Sequence, residues 1–454
     1  MLALRLTRGS HPAVQLRRLL VAVASAGTGF LLLCTLGYAM GHPDSPAAAA
    51  LRLAWCATPL AATVYFAVAV ARTDPATKPR PGLSAIGLGP GRLMAISATT
   101  TALACTLGSM LALLFFLHLR GDLTGMPFDG AAAEFLASDT PLPLPAALTL
   151  LAIVPVTASV SVALTLRPKD TKHPSTAKNG PRSYGRFGAY GKSGTRETFG
   201  TYGRFGSHLR TGGRKAAVEE TPAPAPEPAA DAEPTATVTG PVDLDPTRPP
   251  APREVPKGLP WGVAVLAAGL AVEAYANRTA DTDGLSMPGG HAGGPAGVLA
   301  GWVLTALGLA LAGPGLTHLC GRLLQAVRPG ALRLLAGRVL MEEATRIGRP
   351  LGVVCAVASG AYAMTALYDT DASVGPLTTL GTLLVTGCTV ATLLTAAVEA
   401  RQSRADTTAA LVRLGAPATV LRSAAALRAG ALLALFVPLT VVIAELAALP
   451  LAHR

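Results

Sequence analysis

Long apolar runs separated by shorter polar segments extend along most of the chain. Nine of these runs approach or exceed about 20 residues, the length that a helix needs to cross the hydrocarbon core of a bilayer. They cover residues 19–40, 53–71, 93–117, 144–166, 261–276, 295–319, 351–367, 377–398 and 421–449. Because only helices satisfy their own backbone hydrogen bonds span by span in lipid, the pattern predicts an all-α, polytopic protein with about nine transmembrane helices.

The order of elements near the beginning of the chain recurs near its end. Residues 86–89 (Ile-Gly-Leu-Gly) and 412–415 (Val-Arg-Leu-Gly) share a short pattern, and each follows an apolar run that ends in Ala-Arg. Leu-Arg-Leu followed by Ala-Val-Ala-Ser lies upstream of both. Short matches recur by chance in a chain rich in Ala, Leu and Val, so the evidence for a repeat is that the matches occur in the same order in both parts of the chain. That order predicts two repeats of one membrane unit.

Composition and charge agree with a membrane protein. Half of the residues are hydrophobic and only 14% are charged, and the mean hydropathy is +0.44. Basic residues concentrate before the first run and in alternate loops, whereas the other loops are acidic or nearly neutral. By the positive-inside rule this predicts a multi-pass protein of the cytoplasmic membrane with a cytoplasmic N-terminus. The net charge of +12 then reflects topology, and no nucleic-acid partner is expected.

One long polar region divides the predicted membrane units. Residues 167–258 begin as a basic, glycine-rich stretch and continue as an acidic stretch rich in Pro and Ala. Such composition predicts a disordered cytoplasmic linker. Its basic part is interpreted as a solvated tether, with contact to anionic membrane lipid or RNA as the alternative. The predicted domains are residues 1–166 (first repeat, four spans), 167–258 (linker), 259–327 (a connecting pair of spans) and 328–454 (second repeat, three spans).

Candidate chemistry within the chain is sparse. The spacing of the six cysteines supports neither a disulfide framework nor a zinc site, so they are interpreted as small packing residues within the spans. No catalytic arrangement or cofactor motif is present in the sequence, and we expect no enzymatic activity and no cofactor. Glu273 and Glu445 are the carboxylates well inside apolar runs, where a charge is costly. The basic segment 329–349 is interpreted as a helix on the membrane surface or, equally, as a plain positive flank of the next span.

The order of basic elbow, span, span, Leu-Gly turn and span resembles the FtsX-like (MacB-like) permease family of ABC transporters. The resemblance rests on residues 404–424 and, more weakly, on residues 80–98. In that family, a short helix ending in the Leu-Gly turn contacts a separate ATPase subunit and transmits its movement to the spans. The resemblance therefore implies a cytoplasmic ABC ATPase as partner and a pseudo-dimer of the two repeats within one chain.

The same resemblance implies two ATPase contacts, one in each repeat. The first would consist of Ile86, Leu88 and Gly89, and the second of Leu411, Val412, Leu414 and Gly415. A glycine allows a short helix to end in a tight turn, and the apolar residues beside it can fill a groove on a partner. Pro79 and Pro81 disfavour a continuous helix before the first contact, so we expect that contact to be weakened.

The chain also departs from the family. Members with two repeats usually have ten spans and often carry a large extracytoplasmic domain, and neither feature is found here. The sequence predicts a permease subunit that couples ATP hydrolysis by a separate subunit to movement or extraction of a substrate whose class it does not specify. The alternative is a non-transporting membrane scaffold or sensor derived from a decayed permease.

Overall fold

The computed structural model describes residues 12–74, 90–123, 130–167, 256, 258–279, 296–326, 330–367 and 375–452. These residues form helices and turns and contain no strand. The helices are α1 (Pro12–Gly41), α2 (Pro46–Trp55), α3 (Ala57–Thr73), α4 (Pro90–Arg120), α5 (Leu144–Leu166), α6 (Leu259–Thr279), α7 (Ala296–Ala326), α8 (Ala331–Leu367), α9 (Pro376–Ser403), α10 (Ala405–Arg413) and α11 (Ala418–Ala452). Nearly all of the predicted linker, 167–258, lies outside this description.

Eight helical stretches among the described residues are long and apolar enough to cross a membrane. They are α1, the α2–α3 run, α4, α5, α6, α7, α9 and α11. The expected all-α, polytopic membrane fold is therefore confirmed. The seventh of the nine expected spans, 351–367, lies in α8, which is not among the eight helical stretches. The first half of α8 carries several Arg and Glu residues, and the side chains at its C-terminal end lie outside the description.

The outward surface of the helices is apolar. On α4, Leu103, Leu107, Leu111 and Phe115 form one exposed stripe at helical spacing, and Leu107 is 69% exposed. Contiguous apolar surface of this kind is unfavourable in water but is the surface that a helix presents to lipid. The exposed stripe therefore agrees with a multi-pass membrane protein.

The first group of helices consists of α1, α3, α4 and α5. Helices α1 and α4 run parallel and cross closely at Gly108, where an added Cβ would overlap the carbonyl oxygen of Ala22. At the same crossing the Ser25 hydroxyl donates to the Cys105 carbonyl oxygen at 2.9 Å. Small residues and short polar side chains thus allow close backbone approach, as is usual between helices in membranes.

The second group is built on α7, which packs against α6 on one side and α8 on the other. The α7–α8 contact again depends on glycine. An added Cβ would lie 2.8 Å from the Gly337 carbonyl oxygen if placed on Gly321, and 2.6 Å from Pro314 Cα if placed on Gly348. Such distances are too short for any side chain, so these two helices meet backbone to backbone.

The basic segment 329–349, interpreted equally as a surface helix or as a positive flank of the next span, is continuous with that span from residue 331. It forms the first half of α8, which continues through Pro350 into the expected span as one helix. Helical spacing puts Leu332, Leu335 and Val339 on one apolar face, whereas the buried side chains of this half include Ala336 and Leu340. The face of α8 that packs against α7 carries small residues, because these permit close approach of the two backbones. The spacing of the larger apolar residues therefore does not determine which face is buried.

Helix α9 connects the two groups by packing mainly on α3 and α8. Thr63 of α3 bonds to Thr28 of α1 at 2.8 Å between hydroxyl oxygens, and its Oγ1 lies 3.9 Å from the Cys388 Sγ of α9. Helix α3 runs antiparallel to α1, because Thr28 contacts Thr63 and Arg17 contacts Thr73. Helix α9 does the same, because Leu384 lies beside Gly27 and Gly381 beside Leu31, so α3 and α9 run parallel. These are the equivalent second spans of the two predicted repeats.

A second pair of helices also corresponds between the predicted repeats. Helices α1 and α4 run parallel, and so do their counterparts α8 and α11, where Cys355 lies beside Thr440 and Tyr362 beside Glu445. This arrangement is what a duplicated unit would produce, although the duplication itself stays a prediction. All six cysteines are buried and free, in agreement with the packing role expected for them.

The α3–α9 contact can be tested by a disulfide. We expect Thr63→Cys to form a bond with native Cys388 under mild oxidation, because the two side chains already touch. A protease site placed after Pro224 would then allow the chain to be cut in its linker. The cut halves should stay linked on a gel without reductant, and should separate when Cys388 is also changed to Ala. Separation without that second change would show that α3 and α9 do not pack as described.

Candidate functional site

The segment between α9 and α11 forms the candidate site. Helix α9 ends at Ser403, Arg404 makes a turn, and α10 begins at Ala405. The Thr408 amide donates to the Arg404 carbonyl oxygen at 2.9 Å, which starts the helix. Asp406 lies in the first turn and Arg413 in the last, where each charge interacts favourably with the helix dipole.

Helix α10 ends in a glycine cap. The Gly415 amide donates to the Val412 carbonyl oxygen and the Ala416 amide to the Leu411 carbonyl oxygen, both at 3.0 Å. Gly415 has φ +86°, a backbone conformation that other residues adopt only with strain. These two bonds and the positive φ define a Schellman motif. The Leu-Gly pattern noted in the sequence is therefore the end of a short helix, held in one geometry.

The apolar residues of this segment point away from the rest of the molecule. Leu414 is 84% exposed, Val412 is 55% exposed, and Leu411 is half-buried. Helix α10 buries none of its residues. The residues assigned to the equivalent contact in the first repeat, Ile86, Leu88 and Gly89, lie outside the described part of the chain.

An ion pair joins the start of α10 to α8. The Arg404 Nε lies 2.5 Å from Oε1 of Glu343, whose side chain is 7% exposed. Burial raises the pKa of the Glu343 carboxyl, and the guanidinium groups of Arg404 and Arg428 act in the opposite direction. The carboxylate therefore depends on these cations to remain ionised. In this way Arg404 ties the turn after α9 to α8 and lies close to Arg428 of α11.

The first half contains a corresponding ion pair with the charges reversed. The Arg18 Nη2 on α1 lies 2.5 Å from the Asp74 Oδ2, directly after α3, and the Arg17 Nη1 donates to the Thr73 hydroxyl at 3.4 Å. In both halves, the first helix of the predicted repeat is thus tied to the residue that follows the second span. Neither ion pair was expected from the sequence. The feature that could have indicated them is a charged residue near the first span and an oppositely charged residue directly after the second span of each predicted repeat.

The second spans of the two predicted repeats end on the same side of the bundle. Because α3 and α9 run parallel, their C-terminal ends at Thr73 and Ser403 lie at the same end. A partner at this end would thus be within reach of α10 and of the C-terminal end of α3.

The two intramembrane carboxylates occupy different surroundings. Glu445 is exposed on α11, and its Oε1 accepts the Tyr362 hydroxyl at 2.6 Å. Glu273 is buried between α6 and α7, where its Oε1 accepts the Trp302 indole N–H at 2.8 Å. Among the described residues, no group of His, Cys, Asp and Glu side chains could hold a metal ion.

Comparisons with models of known protein families, with curated proteins and with solved structures find no match to this chain. Functional inference therefore rests on the geometry of the candidate site and on the sequence pattern that it shares with the first half.

The Arg404–Glu343 pair can be tested by a double-mutant cycle. Arg404→Gln leaves the buried Glu343 carboxylate without its closest cation, so we expect it to lower the thermal stability of the purified protein. Adding Glu343→Gln should restore part of that loss, with a coupling free energy of about 0.5–3 kcal/mol. Arg401→Gln, a change at an exposed arginine on the same turn, is the matched control and should have little effect. Additive effects of the two Gln variants would show that the ion pair does not stabilise the α8–α10 contact.

Proposed function

We propose that this chain is the transmembrane permease subunit of an ABC transporter of the FtsX-like (MacB-like) type. In this proposal the chain couples ATP hydrolysis by a separate cytoplasmic ATPase to the movement or extraction of a substrate. One observation carries the proposal: α10 presents exposed apolar residues on a rigid, capped turn that is anchored to the spans.

The exposure of Leu414 and Val412 supports a protein partner. Exposed apolar residues are common on the lipid-facing helices, but α10 lies in a segment with Arg401, Arg404 and Arg413, which do not belong in hydrocarbon. Apolar side chains held at the end of a short helix are suited to a hydrophobic groove on another protein. An ATPase that docks under the membrane and receives α10 would bury them.

The connections of α10 support a mechanical role. It is joined directly to α9 and α11 by the chain, and Arg404 links its start to Glu343 of α8. A displacement of α10 by a partner would therefore act on three helices at once. Because α9 packs on α3, the movement would also reach the first half. In this mechanism the chain transmits force, and the bond-breaking chemistry of ATP hydrolysis takes place on the partner.

The parallel ends of α3 and α9 support a two-site arrangement. A single chain with one segment after α3 and another after α9 could contact an ATPase at two places. Residues 86–89 would supply the first contact and α10 the second. The ion pairs after α3 and after α9 would fix the starting points of both segments.

The test is to co-purify the chain with a candidate ABC ATPase and to measure the hydrolysis rate. Leu414→Asp places a charge on the apolar surface that the partner would bury, so we expect binding to fall at least about tenfold, which corresponds to about 1.4 kcal/mol. Gly415→Val should also weaken binding, because φ +86° is strained for a β-branched residue. Membrane insertion should be preserved in both variants, since neither residue lies in a span.

A matched control is Leu334→Asp, which makes the same change at an exposed leucine of α8, outside α10. This variant should bind and stimulate the ATPase as the parent does. If Leu414→Asp also behaves like the parent, α10 is not the coupling contact, and the scaffold or sensor alternative is favoured. A failure of Leu334→Asp as well would indicate a general effect of surface charge and would equally contradict the assignment.

A further inference from the structure

The hairpin formed by α6 and α7 contains a buried carboxyl group that the proposed coupling mechanism does not use. The two helices meet at glycines that recur every seven residues, Gly262 and Gly269 on α6 and Gly301, Gly308 and Gly315 on α7. An added Cβ on Gly269 would lie 2.5 Å from the Thr305 amide nitrogen, and one on Gly301 would lie 2.8 Å from the Gly269 carbonyl oxygen. The helices are thus in direct backbone contact, with no space between them.

Glu273 lies in this contact, one turn after Gly269. It is 1% exposed, and its Cβ would be 2.8 Å from a Cβ added to Gly301. Its Oε1 accepts the Trp302 indole N–H at 2.8 Å, whereas its Oε2 has no hydrogen-bond partner among the described residues. The Thr305 hydroxyl, three residues after Trp302, is also buried without a partner. One carboxyl oxygen is therefore satisfied and the other is not.

The charged groups near Glu273 do not compensate an ionised carboxylate. On α6 itself the neighbouring titratable groups are Tyr275 and Arg278, both exposed. Helix α7 carries no titratable side chain between residues 296 and 317. Helix α11 also contacts α6, and its carboxyl group Glu445 bonds to Tyr362. The interactions of Glu273 with the described residues are burial and the hydrogen bond from Trp302. An anion in this position would bear the full cost of its burial.

Two ligands could remove that cost, a metal cation or a proton. A hard cation such as sodium or calcium needs several oxygen ligands and a cavity to hold it. At Gly269 and Gly301 the backbone contact leaves no room for a cation between the helices. The described residues beside the carboxyl offer the Glu273 Oε2 and the Thr305 hydroxyl as unused oxygens, which is fewer than such a cation needs. A proton requires no space, neutralises the charge and converts the unpaired Oε2 into a hydrogen-bond donor.

We propose that Glu273 is a membrane-embedded proton-binding site, protonated while α6 and α7 are packed together. Loss of the proton would place a charge in the glycine contact and favour separation or hydration of the two helices. Trp302 is the positioning residue that orients the carboxyl through Oε1. This inference does not depend on ATPase coupling and extends to the α6–α7 pair, which the coupling proposal does not use.

The test uses infrared difference spectroscopy on the full-length protein reconstituted in lipid vesicles at neutral pH. Subtracting the spectrum of Glu273→Gln from that of the parent isolates the signal of this one carboxyl group. We expect a protonated-carboxyl C=O band that moves in heavy water, and no carboxylate bands. Glu445→Gln, the matched control at the other intramembrane carboxylate, should leave the Glu273 band in place. Carboxylate bands in the Glu273→Gln difference spectrum would overturn the proposal.

A second measurement follows the same proton through unfolding. An unfolded glutamate releases its proton at about pH 4.3. If the folded state keeps this proton to higher pH, the proton stabilises the folded state at low pH, and that stabilisation is lost as pH rises. The melting temperature of the parent should therefore fall more than that of Glu273→Gln between about pH 5 and about pH 8. Equal slopes for the two proteins, or protection of the parent at high pH by added sodium, would overturn the assignment to a proton.

Discussion

Close approach of helix backbones at small residues is the interaction on which the rest of this structure depends. Lipid removes the hydrophobic drive that packs helices in water, so association in a membrane relies on contact area and on short polar side chains. Helix α7 illustrates both consequences. One face meets α6 through Gly301 and Gly308, and another meets α8 through Gly321. With a larger residue at these positions the helices would stand apart, and α8 would no longer be held against α7 while it packs on α9.

The same principle governs the contact between the two halves, with hydroxyl and thiol groups in the place of glycine. Thr28, Thr63 and Cys388 form a continuous chain of contacts from α1 through α3 to α9. Each hydroxyl can also bond to a backbone carbonyl of its own helix, as Thr28 does to Ala24. A polar contact of this kind is satisfied within the bundle, so it adds specificity without leaving a polar group exposed to lipid.

Apolar run length predicted most of the fold, because the bilayer sets one length for every span. Residues 144–166 were predicted as a span and coincide with α5. Run length could not predict that α8 would continue through Pro350, since a proline breaks a helix only where neighbouring packing does not support it. Nor could run length predict which face of that helix is buried, because the glycines of α7 determine this, and they lie on a different helix.

The candidate site was predictable only in part, for a related reason. The glycine cap at Gly415 is a local feature, and the sequence pattern shows it directly. The Arg404–Glu343 and Arg18–Asp74 pairs join residues that are about a span or more apart in the chain, so no local pattern indicates which charges meet. The bond from Trp302 to Glu273 also joins two different helices, so no local pattern indicates it. For residues 86–89 the sequence pattern remains the sole argument.

In the proposed coupling mechanism α10 acts as a lever, because its geometry is fixed and its apolar residues are exposed. Its start is fixed by an ion pair to a buried carboxylate, and its end by two backbone bonds and a glycine with positive φ. A flexible loop with the same apolar residues could bind a partner but would absorb the movement of that partner. In the proposed mechanism, a force on Leu414 would instead move Arg404, and with it Glu343 and α8. The strength of the ion pair would limit how much force reaches α8, whereas α9 and α11 stay joined to α10 by the chain itself.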